Sequence, residues 1–162
     1  MTAAIIFDLY GTLLQLPDDS RPFHQLASRR ATAGYRSAIN AALTQSHPTL
    51  AGFASNIGLP PQDDLAALES RLADDLRRIQ PFPDAIGVLT SLHSRGVKTA
   101  VISNLATPYK QPFADHGLSH IVDVTVFSCD CGMMKPNPEI YRRALQQLGV
   151  VASETIMVGD SF

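Results

Sequence analysis

Short apolar runs alternate with helix-like segments along most of this 162-residue chain. The runs are rich in β-branched and aromatic residues, and we interpret them as buried strands. They are residues 3–7, 99–102, 122–127 and 155–158. Helical patterns cover residues 83–95, 108–116 and 138–148, and each is followed by a glycine of the kind that ends helices, at positions 96, 117 and 149. This alternation predicts an α/β fold with a parallel sheet and right-handed crossovers.

Residues 15–80 interrupt the alternation and contain no convincing strand. Helical patterns cover residues 23–43 and 63–79 instead. In the second, apolar side chains recur at helical spacing, whereas charged residues, Asp75 among them, fall on the opposite face. The apolar set is Leu65, Leu68, Leu72, Leu76 and Ile79. We therefore predict an α/β core made of residues 1–14 and 81–162, with an α-helical insert at 15–80.

Composition and charge exclude several classes of protein. Apolar residues make up 45% of the chain and charged residues 17%, which is typical of a globular domain. A net charge of −2 without a basic run argues against nucleic-acid binding, and no apolar run approaches the roughly 20 residues of a membrane helix. The N-terminus enters a strand directly, without the pattern of a secretory signal. Cys129 and Cys131 are too close to pair with each other and are expected to be inert thiols in a reducing cytoplasm.

Polar side chains follow the ends of three predicted strands. Asp8 follows the first and is itself followed by Gly11, which permits a sharp turn; Ser103 and Asn104 follow the second, and Asp160 follows the last. Because the carboxyl ends of parallel strands share one edge of the sheet, where α/β folds bind ligands, these side chains can converge. On its own, Asp8 could equally serve only to cap the following turn.

The converging side chains form a chemically coherent set when Lys135, which precedes the last predicted helix, is added. A carboxylate can act as a nucleophile, a serine hydroxyl and an asparagine amide can hold an anion, and a lysine can neutralise negative charge. Two carboxylates at ~4 Å repel by roughly 4 kcal/mol at an effective dielectric of 20, so a pair of them needs a cation. Oxygen ligands beside a phosphate group favour Mg²⁺.

Four segments together resemble the haloacid dehalogenase-like hydrolase superfamily, in its order and at its spacing. They are Asp8-Leu9-Tyr10-Gly11-Thr12-Leu13, Ile102-Ser103-Asn104, Lys135-Pro136-Asn137-Pro138-Glu139-Ile140-Tyr141 and Val158-Gly159-Asp160-Ser161. The resemblance implies a three-layer Rossmann-like core with a parallel sheet, in which residues 15–80 form a small α-helical cap. It also implies a hydrolase that acts on a small molecule, most often a phosphate monoester.

The same resemblance implies a role for each motif residue. Asp8 would be the nucleophile, Ser103 would hydrogen-bond the transferred group, and Lys135 would hold the nucleophile and stabilise negative charge. Thr12 would hydrogen-bond near Asp8 and, with Asn104, contribute to substrate binding. Mg²⁺ would be bound by Asp8, Asp160 and the carbonyl of Tyr10.

Tyr10 departs from the pattern of the family's phosphatases, which usually carry a second Asp there as general acid and base. Loss of such a group typically lowers the rate by about 10²–10⁴. The tyrosine instead resembles the metal-free L-2-haloacid dehalogenases, which attack carbon and expel halide. These enzymes also carry Asn beside the motif serine and an Arg near the start of the cap, for which the candidates are Arg21, Arg29, Arg30 and Arg36. A solvated helix face is the alternative for each arginine.

Two further features bear on the reaction. Gly159-Asp160 favours the Mg²⁺-dependent phosphatase, because the dehalogenases show Ser-Asn type residues at that point. Family members usually continue past the position of Phe162 with a further strand and helix, so we expect a truncated or fragmentary core, with a non-catalytic or weakly active protein as a third reading. The substrate and the oligomeric state stay open, a homodimer included.

Overall fold

The computed structural model describes residues 2–16, 21–30 and 32–160, so that Ser161 and Phe162 lie outside the described residues. Within that part of the chain, four parallel strands form one sheet in the order β3–β2–β1–β4. The strands are β1 (Ala4–Phe7), β2 (Lys98–Ser103), β3 (Val124–Phe127) and β4 (Thr155–Val158). All the predicted strands are thus confirmed, and the first and last pair directly with each other.

Eight α-helices occur among the described residues. Four precede β2 within or at the borders of the insert: α1 (Pro22–Ser28), α2 (Thr32–Thr44), α3 (Leu50–Asn56) and α4 (Leu65–Arg78). The others belong to the alternating part: α5 (Ala85–Ser94), α6 (Gln111–Asp115), α7 (Ser128–Cys131) and α8 (Pro138–Leu148). None of the helices in the described part of the chain has the length and apolar character needed to cross a membrane.

The sheet is covered by helices on both faces. On one face, Phe7 and Val101 pack with Ala85 and Leu89 of α5 and with Phe113 of α6. On the other face, α8 buries its apolar stripe against the alternate strand residues, which are Ala4, Ile6, Ala100, Ile102 and Val126. Because successive strand side chains point to opposite faces, each strand feeds both clusters. The predicted three-layer α/β core is therefore confirmed.

The insert packs around a hydrophobic cluster of its own, which includes Phe23, Leu26, Phe53 and Leu72 and reaches the core at Ala106. The prediction of one helix over residues 23–43 is wrong, because α1 ends at Ser28 and α2 begins at Thr32. Apolar residues of both helices enter the same cluster, so the periodicity continues across the break. The helix α3 was not predicted; its N-cap is Thr49, whose hydroxyl accepts from Gly52 N at 3.1 Å.

The insert leaves and re-enters the core at one place. Gln15 N donates to Gln80 O at 2.8 Å, and Phe82 N donates to Leu13 O at 3.0 Å. These bonds lie next to the turn that follows Asp8, so the insert is anchored at the carboxyl edge of the sheet. The division into two domains at residues 15 and 80 stays a prediction.

Two details of the helices differ from expectation. The segment 108–116 is not one helix: a 3-10 turn over Thr107–Lys110 precedes α6, with Pro112 near the start of α6. On α4, Asp75 is buried, although its position was assigned to the solvated face. Arg78, one turn further on, forms an ion pair with it at 2.5 Å, which offsets part of the desolvation of the carboxylate.

Candidate active site

All the predicted site residues except Thr12 line one pocket at the carboxyl edge of the sheet. The cavity has a volume of about 540 Å³. Asp8, Ser103, Asn104, Lys135 and Asp160 all line it. Four of them lie at or just after the ends of β1, β2 and β4, as the parallel topology requires, and Lys135 enters from the segment between α7 and α8.

Asp8 and Lys135 form the central contact of the pocket. Lys135 Nζ lies 2.5 Å from Asp8 Oδ2, and each side chain is 15% exposed. The other carboxylate oxygen, Oδ1, accepts from Leu9 N at 2.7 Å, while Asp8 N donates to Val158 O at 2.8 Å. The carboxylate is thus held in one orientation beside a cation, and removal of Lys135 would leave it without its compensating charge.

Asn104 fixes the main chain of Lys135. Asn104 Nδ2 donates to Lys135 O at 2.9 Å, and Lys135 N donates to Asn104 Oδ1 at 2.8 Å. Both ends of the amide are therefore used to place the lysine, a role that the sequence did not suggest. The second N–H of Nδ2 is still able to bind a ligand, so substrate binding by Asn104 stays a prediction.

Ser103 and Thr12 are less directly engaged. Ser103 is 2% exposed and lines the pocket at the end of β2. The hydrogen bond expected of the Thr12 hydroxyl is not formed among the described residues: its Oγ1 is buried without a partner. A buried hydroxyl of this kind needs a partner, and the described residues do not supply one. Binding of substrate by either residue stays a prediction.

Gly11 makes room for the Asp160 carboxylate. The glycine has φ +83°, and a Cβ built on it would lie 2.4 Å from Asp160 Oδ2. The carboxylate therefore rests against the turn that follows Asp8, in a space that any other residue would fill. Asp8, the carbonyl of Tyr10 and Asp160 supply only oxygen donors, the set that suits Mg²⁺ when it is held by one or two carboxylates and water. No cluster of three or more His, Cys, Asp or Glu side chains suited to a metal occurs in the described ranges.

The phenol of Tyr10 is directed into the protein. Its hydroxyl donates to Tyr109 O at 2.7 Å, and the two rings meet edge to face with centroids 6.0 Å apart. Burial, and then the neighbouring Tyr109, raise the pKa of Tyr10 far above its usual value. Burial, with a smaller effect of Asp75, raises the pKa of Tyr109 to about 12. Neither phenol is therefore suited to protonate a leaving group at neutral pH.

Several residues of the site were not assigned a role from the sequence. Tyr141 and Met157 line the pocket, and Tyr109 holds Tyr10. Tyr141 belongs to the motif that begins at Lys135, and Met157 lies in the last predicted strand. The sequence therefore offered a reason to consider both residues. Tyr109 carried none, because its contact joins residues 99 positions apart.

The arginines considered for a substrate anion have different surroundings. Arg29 binds both carboxylate oxygens of Asp64, at 2.8 and 2.6 Å, and Arg30 donates to Ile57 O at 2.5 Å. Arg36 is exposed on α2. Arg21, by contrast, lines a second cavity that adjoins the pocket.

Comparisons with known proteins match this arrangement. Glyceraldehyde 3-phosphate phosphatase of Methanopyrus kandleri is 35% identical over 64% of this chain, and the matched segment makes up 46% of that enzyme. Phosphoglycolate phosphatase of Rhodospirillum rubrum is 29% identical over 99% of this chain and 73% of its own length. A solved structure described as a dehalogenase has a TM-score of 0.63 at 23% identity and shares the fold over 98% of this chain and 76% of its own.

A family model described as haloacid dehalogenase-like hydrolase matches residues 2–162, which includes the strand tips, the lysine and the insert. The chain belongs to the haloacid dehalogenase-like hydrolase family.

Proposed function

We propose that this chain hydrolyses a phosphate monoester of a small molecule, with Asp8 as the nucleophile. The observation that carries the proposal is the contact of 2.5 Å between Asp8 and Lys135 inside a pocket that also holds Ser103 and Asp160. The cavity volume of about 540 Å³ falls in the range of small-molecule sites. Two of the relatives are phosphatases named for small phosphorylated compounds, glyceraldehyde 3-phosphate and phosphoglycolate.

The residues divide the reaction between them. An oxygen of Asp8 attacks phosphorus, the bond to the leaving oxygen breaks, and water then cleaves the aspartyl phosphate. Lys135 neutralises charge on Asp8 and on the phosphoryl oxygens, and Ser103 donates a hydrogen bond to the transferred group. Asn104 holds the main chain of Lys135 so that its Nζ stays at the nucleophile.

Mg²⁺ belongs to this proposal, held by Asp8, Asp160 and the carbonyl of Tyr10. When bound, it would neutralise phosphate charge that one positive charge, that of Lys135, leaves unbalanced. The support is the all-oxygen donor set and the space that Gly11 leaves for Asp160.

A second candidate function is metal-free dehalogenation of an L-2-haloacid. The observation that favours it is Tyr10, because the bond of its hydroxyl to Tyr109 O leaves that position without an acid. Expulsion of halide needs no proton, so this defect would not matter there. Asp160 favours the phosphatase, since two carboxylates that line one pocket repel each other unless a cation is bound with them.

The two reactions are separated by direct assay. Purified protein is given 4-nitrophenyl phosphate with Mg²⁺ and, separately, L-2-chloropropionate without metal. We expect phosphate release that Asp8→Asn abolishes and that Asp63→Asn, the same change on an exposed side chain, leaves intact. Chloride release without metal would replace the first proposal by the second, and silence in both assays from a folded chain would indicate a non-catalytic family member.

We also propose a cytoplasmic location, supported by the two free thiols, Cys129 and Cys131. Burial raises the pKa of Cys129, which makes it an unreactive thiol. The absence of nucleic-acid partners and the oligomeric state, a homodimer included, stay predictions.

A further inference from the structure

A second cavity adjoins the catalytic pocket between the insert and the core. This insert cavity has a volume of about 270 Å³. Its walls are mainly apolar and aromatic: Phe23, Ile39 and Leu43 from the insert, and Tyr10, Leu105 and Tyr109 from the core. Two exposed polar residues, Arg21 and His24, also line it.

Tyr10 and Asn104 line both cavities, so the two spaces are neighbours. A molecule whose phosphoryl group lies against Asp8 therefore has the insert cavity available for the rest of its structure. An apolar group placed there gains roughly 25 cal/mol for each Å² removed from water. A polyol that lies against the apolar walls would lose hydration without gaining hydrogen bonds from them.

The wall between the cavities also restricts the leaving group. The Tyr10 hydroxyl donates its proton to Tyr109 O at 2.7 Å and is therefore directed away from the leaving oxygen. His24 also lines the insert cavity, and its Nδ1 lies 2.7 Å from the Tyr35 hydroxyl. A basic alkoxide would therefore have to leave without a proton from the Tyr10 hydroxyl, whereas a phenolate or enolate oxygen departs readily as an anion.

We propose that the substrate is a phosphate ester of a phenol or enol whose compact apolar body lies in the insert cavity. The inference rests on the proposed phosphatase function and names its substrate class. In the step, an Asp8 oxygen bonds to phosphorus while the ester P–O bond breaks, and its electron pair stays on the departing oxygen, which takes a proton from solvent. Water then attacks phosphorus, restores the Asp8 carboxylate and releases inorganic phosphate and a proton.

The test compares phenyl phosphate, 4-nitrophenyl phosphate, acetyl phosphate and glycerol 3-phosphate on the wild-type protein. We expect kcat/KM for phenyl phosphate to exceed that for glycerol 3-phosphate by about 10²-fold or more, the range attributed to a missing acid. Acetyl phosphate has a good leaving group and no apolar body, so it reports the Asp8 chemistry alone. Equal rates for the phenyl and glycerol esters would overturn the inference.

One variant tests the insert cavity, and a second tests protonation of the leaving group. Leu43→Gln places an amide in the insert cavity and should lower the ratio of phenyl to acetyl phosphate kcat/KM at least tenfold, mainly through KM. Val88→Gln, on the exposed face of α5, is the matched control and should keep the wild-type ratio.

Tyr10→Phe removes the hydroxyl and should keep the ratio of kcat/KM for phenyl phosphate to that for glycerol 3-phosphate. A selective loss of activity toward glycerol 3-phosphate would identify Tyr10 as the acid and contradict the inference.

The outcomes also distinguish failure of this inference from failure of the proposed phosphatase function. Hydrolysis of acetyl phosphate that depends on Asp8, without preference for the phenyl esters, would refute only the substrate class. No Asp8-dependent hydrolysis of any of the four compounds would refute the proposed function and the inference together. The comparison of the four substrates uses only the wild-type protein. The inference therefore stays testable even if the Leu43→Gln protein does not fold.

Discussion

At the scale of single residues, the site depends on groups that place other groups. Asn104 bonds to Lys135 through both ends of its amide, and Gly11 leaves the space that the Asp160 carboxylate fills. Neither residue needs to touch the reacting atoms for its replacement to lower the rate. A displacement of about 1 Å at a catalytic group can lower a rate 10²-fold.

Replacement of Gly11 tests the space beside Asp160. Gly11→Ala places a Cβ against the carboxylate and forces a left-handed backbone on alanine, at a cost of about 1–2 kcal/mol. We expect loss of the thermal shift produced by Mg²⁺ together with a large fall in kcat. Gly87→Ala is the control, because an added Cβ there meets nothing within 4 Å and favours helix α5 by roughly 0.5–1 kcal/mol. A wild-type Mg²⁺ response in Gly11→Ala would contradict the role given to Asp160.

Replacement of Asn104 tests the placement of Lys135. Asn104→Asp keeps the acceptor for Lys135 N and turns the donor for Lys135 O into an oxygen. We expect kcat to fall about 10²-fold with a smaller change in KM, and the pH–rate profile to shift because the ammonium group moves relative to Asp8. Asn40→Asp, on the exposed face of α2, should leave both kcat and the profile unchanged. A rise in KM with an unchanged kcat would instead indicate that Asn104 binds the substrate.

At the scale of elements, the insert is held together by polar contacts between its helices. Glu69 of α4 accepts from Leu50 N at 2.6 Å and from Ala51 N at 3.2 Å, so one helix caps the N-terminus of another. Arg29, directly after α1, forms an ion pair with Asp64 at the start of α4. The second of these contacts joins α4 to α1, which lines the insert cavity through Phe23 and His24.

Loss of the cap from Glu69 should weaken the insert. Glu69→Ala leaves two N–H groups at the start of α3 without their acceptor, and we expect the free energy of unfolding to fall by about 1 kcal/mol. Urea titration followed by circular dichroism measures it. Glu154→Ala removes an exposed carboxylate from a 3-10 turn and should change stability little. Equal effects of the two substitutions would mean that the Glu69 contact contributes nothing specific.

His47 should make the protein less stable in acid. It is 6% exposed and its Nε2 has no partner among the described residues; burial lowers its pKa from 6.5, although a bond to the Ala41 backbone opposes this. Below pH ~6.5 the unfolded chain binds a proton that the folded chain does not accept until lower pH. The contribution to stability is therefore complete above that pH and is lost as the pH falls further.

The variant His47→Leu removes this titration. We expect its melting temperature to change less than that of the wild type between pH 7 and pH 5, whereas His120→Leu, at an exposed position, should keep the wild-type slope. Identical slopes for wild type and His47→Leu would assign the acid sensitivity elsewhere.

At the scale of the whole molecule, the sheet and its edge could be predicted because they follow from local patterns. Strand runs are short and apolar, and parallel pairing brings Asp8, Ser103 and Asp160 to one edge whatever the details. The bond from Tyr10 to Tyr109 O and the clamp of Asn104 on Lys135 could not be predicted, because each joins a side chain to a distant backbone group. Burial of Asp75 was missed for a related reason: periodicity identifies a polar face but not the neighbour that covers it.

The exposed apolar side chains of β4 are another property of the whole molecule. β4 lies at the edge of the described sheet, and Ile156 and Val158 are 49% and 37% exposed. Apolar edge strands favour intermolecular pairing. We therefore expect Ile156→Lys to lower concentration-dependent light scattering without changing the ratio of kcat/KM for phenyl phosphate to that for glycerol 3-phosphate.

The central claim is that Asp8 carries the phosphoryl group during turnover. The direct measurement is an acid quench of the wild-type protein reacting with 4-nitrophenyl phosphate and Mg²⁺, followed by peptic digestion and mass spectrometry. We predict one phosphoryl group on Asp8 itself, absent from the Asp8→Asn protein. Phosphate release with an unmodified Asp8 peptide, or with the phosphoryl group on another residue, would contradict the account.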